Sequence, residues 1–147
     1  VSVTFQETLR GSWFPVDRPD EARLCEVVLA IRVTRAGAKL QSAQGELSGM
    51  ATFDGLATAA PVQGELRLEA RAPRRLTYAF EFATVDGRLL RFSGAKHVRL
   101  MRPIASATTL WGELAEQGHT IATVRLSFDV RRDFVAFLQS LRRPPPA

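Results

Sequence analysis

An acid, a base and a phenol interrupt faces that are otherwise apolar. Glu7 alternates with Val3, Phe5 and Leu9, and Lys96 alternates with Leu90, Phe92 and Val98. Tyr78 shares its parity with Leu76, Phe80 and Phe82. A period of two marks a β-strand, and residues of one parity face one side of it. All three groups should therefore point into a common apolar interior. A lone buried charge is expensive. Glu7 and Lys96 are thus expected to pair with each other or with Tyr78, to be neutralised, or to face a wet cavity. Two chemistries follow. The groups can anchor the polar part of a ligand in an apolar site, or they can move protons and hydrogen-bond a hydrophobic substrate. A structural Glu–Lys pair, or a bulge at Gly94 that turns Lys96 outward, would do neither. The interior candidates are Glu7, Lys96, Tyr78, Phe80, Phe82, Trp111 and Phe128.

Other reactive side chains offer less. His119 falls in the turn Gln117-Gly118-His119, and His97 has the outward parity of Arg91, Ser93 and Arg99. Both read as surface imidazoles, although their ordinary pKa would suit acid–base work. Cys25 opens the apolar run Cys25–Val33 and reads as a packed, inert thiol. One cysteine and two histidines make neither a disulfide nor a Cys-rich zinc site, so no metal is expected. The phosphate-binding, dinucleotide, serine-hydrolase and zinc-protease motifs are all missing, and no cofactor is expected.

Strands must position these groups. Val1–Leu9, Cys25–Thr34, Gly45–Phe53, Glu65–Ala70, Arg75–Ala83, Arg88–Leu100, Thr108–Glu116 and Thr120–Val130 read as strands, with a weak Ala-rich one reaching about Pro61. Gly49 and Gly94 suggest bulges or bends. Loop signals begin at Gly11 and run through Pro15, Asp17 and Pro19-Asp20. Asp54-Gly55 and Asp86-Gly87 mark hairpins. The period changes at Asp133, where Phe134, Phe137, Leu138 and Leu141 share one helical face. No strand–helix–strand spacing occurs, which argues against a parallel sheet. The expected fold is all-β: an antiparallel up-and-down barrel of about 8–10 strands with one C-terminal helix at about 133–142. Closure removes the edges of so many strands. Residues 1–143 form a single domain, and 144–147 a Pro-rich tail. Three Gly-Glu-Leu tripeptides, at 45, 64 and 112, are strand entries at irregular spacing, not a repeat.

The chain of 147 residues is 46% hydrophobic and 24% charged, an ordinary globular balance. No apolar run is long enough for a membrane helix. Net charge is +5, with Lys39 and Lys96 the only lysines. The arginines are scattered among acids instead of forming stripes with interleaved aromatics, so they read as a solvated surface and not as a nucleic-acid face. The sequence starts at Val1 with no basic or long apolar leader segment. A free thiol points to a reducing, cytoplasmic compartment.

Two resemblances add context. Gly11-Ser12-Trp13 after an apolar first strand resembles the lipocalin Gly-x-Trp. That family places the Trp at the barrel entrance with a basic residue from a late strand packed over it, which implies Trp13 and Arg125 here. A second pattern spans nearly the whole chain. It comprises Thr4-Phe5-Gln6-Glu7-Thr8-Leu9-Arg10-Gly11, Leu29-Ala30-Ile31 and Leu76-Thr77-Tyr78-Ala79-Phe80-Glu81-Phe82. It continues with Asp86-Gly87-Arg88-Leu89-Leu90, Ser93-Gly94-Ala95-Lys96, Thr108-Thr109-Leu110-Trp111 and Asp133-Phe134. In order, these pieces resemble the β-rich accessory region of large bacterial cholesterol-oxidase-like proteins of the glucose–methanol–choline family. Leu9 stands where that pattern has Met, and Trp111 where it has Tyr. The resemblance implies an oxidoreductase context without oxidase activity, because the flavin fingerprint is missing from this chain.

Three functions compete. The first is a non-catalytic barrel binding a hydrophobic small molecule or lipid, alone or beside an oxidoreductase partner. The second is a barrel enzyme, a cyclase or isomerase, acting through Glu7, Lys96 and Tyr78. The third is a structural or interaction module.

Overall fold

Alternation along the sequence becomes a ring of eight antiparallel strands in a computed structural model, which describes residues 3–36, 42–69, 75–97 and 109–127. The strands are β1 (Val3–Pro15), β2 (Arg23–Ala36), β3 (Ser42–Phe53), β4 (Ala57–Glu69), β5 (Arg75–Ala83), β6 (Leu89–His97), β7 (Thr109–Glu116) and β8 (His119–Ser127). Each pairs with the next in sequence, and β8 closes on β1. The closing ladder runs from Arg10↔Ser127 to Pro15↔Ala122. This is the up-and-down barrel expected from the period of two. The C-terminal helix at 133–142, Phe128, Lys39 and the tail at 144–147 lie outside the described residues.

Four short hairpins close one end of the barrel: β1–β2, β3–β4, β5–β6 and β7–β8. Their turns are tied edge to edge. The Asp54 N–H donates to the Leu24 carbonyl at 3.0 Å, and the Val85 N–H to the Leu56 carbonyl at 3.0 Å. Thr84, buried between β5 and β6, accepts the Arg88 N–H at 2.9 Å and donates to Asp86. The opposite rim carries the strand ends Val3, Ala36, Ser42, Glu69, Arg75, His97, Thr109 and Ser127.

Several boundaries differ from the sequence reading. β1 continues through Gly11 to Pro15, where a loop was expected. Gly11 does not break the strand because β8 passes too close for any side chain: a Cβ there would lie 1.8 Å from the Arg125 carbonyl oxygen. The Ala-rich strand and the Glu65–Ala70 strand are one strand, β4. Pro61 is accommodated opposite Met50 with its ring exposed. β3 pairs with β2 straight through Gly49, and the β6 ladders run through Gly94 without a register shift. An irregularity does occur between Leu114 and Ala115, opposite Ile121, an apolar residue that departs from the alternation of Val124 and Leu126 on β8.

Inward side chains fill the hairpin end with rings. Phe53 stacks on Phe82 with centroids 5.1 Å apart, and Phe80 on Phe92 at 4.7 Å. Gly94 and Gly112 are paired on adjacent strands, and the Phe92 ring lies over both. A Cβ on either would meet that ring at 2.7 Å. Bare backbone here gives an aromatic ring its seat inside a tightly curved sheet. Leu9, Val27, Leu29, Ile31, Leu90, Leu110 and Leu126 are fully enclosed around these rings.

Candidate functional site

β1, β5 and β6 each contribute one polar side chain to the interior, and the three meet. Glu7 holds an inward position of β1, one alternation before fully buried Leu9. Tyr78 follows Leu76 and precedes Phe80 on the inner face of β5. Lys96 lies one alternation beyond Gly94 on β6, paired with Leu76, while Gly94 is paired with Tyr78. The Phe92 ring fills the space over Gly94, and the Lys96 ammonium sits 4.8 Å from the Tyr78 ring centroid. In an eight-strand ring β1 stands opposite β5, so the Glu7 carboxylate reaches across the interior.

The contacts are direct. Lys96 Nζ donates to Glu7 Oε1 at 3.0 Å and to the Tyr78 hydroxyl at 3.0 Å. The Tyr78 hydroxyl donates to Glu7, 3.0 Å from Oε1 and 3.2 Å from Oε2. Glu7 is 4% exposed, Lys96 1% and Tyr78 1%. Burial, then the Glu7 charge and its acceptance of the phenol proton, push the Tyr78 hydroxyl well above its ordinary pKa. The phenol therefore stays protonated and acts as a donor to carboxylate oxygen. The alternative in which a bulge at Gly94 turns Lys96 outward does not occur.

Other candidates divide between inside and outside. Phe80 and Phe82 are interior, as their parity requires. Trp111 is not: it is 61% exposed on the outer face of β7, because its neighbours Leu110 and Leu114 hold the inward positions. Trp13 is buried at the hairpin end, in β1 and not in an entry loop. The cation over it is Arg23, its register partner on β2, with the guanidinium 5.6 Å from the ring centroid. Arg125 alternates with inward Val124 and Leu126, points outward and stacks on Trp111 instead, at 5.4 Å. The lipocalin-derived pairing of Trp13 with Arg125 is thus replaced by Trp13 with Arg23. The Trp13 indole nitrogen is buried without a hydrogen-bond partner.

Burial pushes the Cys25 thiol up to about 12, so it remains protonated and poorly nucleophilic. His119 is exposed at its turn. Among the described residues, no group of three His, Cys, Asp or Glu side chains is placed to hold a metal ion. No helix among them is long and apolar enough to cross a membrane.

One feature had no sequence signal. A groove of about 900 Å³ crosses the outer face of β2 to β6, over Ala30, Ser48, Gln63 and Ala79. Ion pairs flank it, Arg32 with Glu46 and Arg91 with Glu81. The small outward side chains of Ala30, Ser48 and Ala79 on adjacent strands open it, a coincidence of register that no single strand reveals. No protein-family model, curated protein or solved structure matches the chain.

Proposed function

We propose that the chain is a lipocalin-like binding barrel that holds a hydrophobic small molecule or lipid by an oxygen-bearing head group, without catalysing a reaction on it. The buried Glu7–Tyr78–Lys96 cluster carries this reading. An ion pair inside an apolar barrel is poor value as a source of stability, since well-packed apolar side chains of the same volume often serve as well or better. Three convergent polar groups within an otherwise apolar surround are what a binding site uses to fix a ligand's orientation. They lie toward the rim opposite the hairpins, where the inner side chains are aliphatic (Leu66, Leu68 and Leu76) and the stacked rings are behind them. The raised pKa of Tyr78 suits its hydroxyl to donating a hydrogen bond to a ligand oxygen. The resemblance to an oxidoreductase-associated region suggests that the ligand passes to or from such a partner. The single free thiol suits a cytoplasmic setting.

Native mass spectrometry of the purified chain, joined to titration with oleic acid, oleyl alcohol and a hydrocarbon of equal length, tests the reading. The expected result is a one-to-one complex with an oxygen-headed chain, weakened about tenfold or more by Tyr78→Phe, the loss of one buried hydrogen bond. Absence of a co-purifying ligand together with no binding of any of the three would overturn it.

A further inference from the structure

On the outer face of the β7–β8 ladder stands an arrangement unrelated to the interior. Trp111 is paired in register with Arg125, and Glu113 with Thr123, so four outward side chains form a square on two adjacent strands. The Arg125 guanidinium is stacked on the exposed Trp111 ring. Among the described residues Arg125 has no carboxylate partner and Glu113 no cationic one. The Glu113 carboxylate accepts the Thr120 hydroxyl at 3.1 Å. Further round the barrel Ser12 on β1 pairs with Arg125 and with exposed Leu24 on β2. Half-buried Phe14 pairs with Thr123 beside them.

We propose that this face is a two-fold interface with a second copy of the chain. Tryptophan and arginine are the residue types that most often dominate binding energy at interfaces. Here one holds the other in a fixed, exposed geometry. A surface with one unpaired cation and one unpaired anion beside an apolar anchor is complementary to itself. A purely anionic surface such as an acidic membrane would instead be repelled by Glu113. Arg125 and Glu113 occupy one diagonal of the square. A two-fold axis that sets Arg125 against Glu113 of a second copy makes the same ion pair twice. With strands about 4.8 Å apart and alternate residues about 6.8 Å apart, that axis runs close to the other diagonal. The two Trp111 rings then meet at the centre of the contact, with Phe14 at its border.

Sedimentation velocity and light scattering across a concentration range test the proposal. The wild-type chain should dimerise. Arg125→Glu and Glu113→Arg should each weaken the dimer by about tenfold or more, and the double charge reversal should restore it. Trp111→Ser should give a monomer. All four side chains lie on the outer face, so circular dichroism should confirm that each variant is folded. The proposal is overturned by a wild-type chain that stays monomeric throughout, even if Trp111 proves to be needed for binding to lipid vesicles. It is equally overturned by folded single reversals that leave the dimer intact, or by a folded double reversal that does not recover it.

Discussion

Removing one member of the Glu7–Tyr78–Lys96 cluster strands the others. Lys96→Met leaves the Glu7 carboxylate buried beside a phenol alone, which should cost roughly 3–5 kcal/mol in denaturant unfolding. Arg10→Met, which breaks the surface pair of Arg10 with Glu26 at 2.7 Å, should cost under about 1 kcal/mol. Equal midpoints for the two variants would contradict this. Tyr78 is the one tyrosine of the chain, so phenolate absorbance reads it alone. In the unfolded chain the phenol ionises near 10.0, while in the fold it holds its proton well above that. Above pH 10 the native state therefore binds more protons than the unfolded one, and stability falls by about 1.4 kcal/mol per pH unit. Cys25 adds to the decline from its ordinary 9.0 up to about 12, and Cys25→Ala removes that share. Phenolate absorbance should rise only with unfolding; a rise at pH 10 in folded protein would show that Tyr78 is reached by water. Parity alone located this cluster in the sequence. Trp111, expected inside, lies outside because Leu110 and Leu114 hold the inward positions of its strand. Arg23 escaped notice because it follows a turn-rich stretch with no period to count.

Close backbone approach governs the strands as much as side-chain pattern does. Gly64 lies on β4 where it crosses β5, and a Cβ there would lie 1.9 Å from the Ala79 carbonyl oxygen and 2.7 Å from the Phe80 Cβ. Gly64→Ala should therefore cost several kcal/mol, since backbone and not a flexible side chain must yield. Gly87 has φ of 86° with open space around it. Gly87→Ala should cost only about 1 kcal/mol, the strain of a left-handed backbone. Thermal unfolding of the two variants would reveal whether that order holds. The same physics explains what was legible among the elements. β5 announces itself because its apolar residues alternate without interruption, and β8 does so from Ala122 onward. β1 and β4 were cut short because Gly11, Pro15, Pro61 and Gly64 look like breaks to a local reading. The close neighbour that makes Gly11 and Gly64 necessary is far away in sequence.

At the scale of the whole molecule, closure is the property the period could suggest but not prove, since the β1–β8 register joins residues more than a hundred positions apart. Closure also frees the fold from its own chain order. A ring of strands has no first member, and β1 and β8 run antiparallel side by side, leaving toward the same rim. The barrel should tolerate circular permutation. New ends cut at Asp86–Gly87, where the hydrogen bonds of these two residues stay within Thr84–Arg88 and Gly87 has open space beside it, with the old ends joined through a flexible linker, would begin the chain at β6 and finish it at β5. Such a permutant should keep the high-pH titration of Tyr78, because Glu7, Tyr78 and Lys96 would meet through the same ladders while their order along the chain becomes Lys96, Glu7, Tyr78. A phenol that titrates near pH 10 in the folded permutant would mean that the cluster depends on the original order of synthesis and not on the ring.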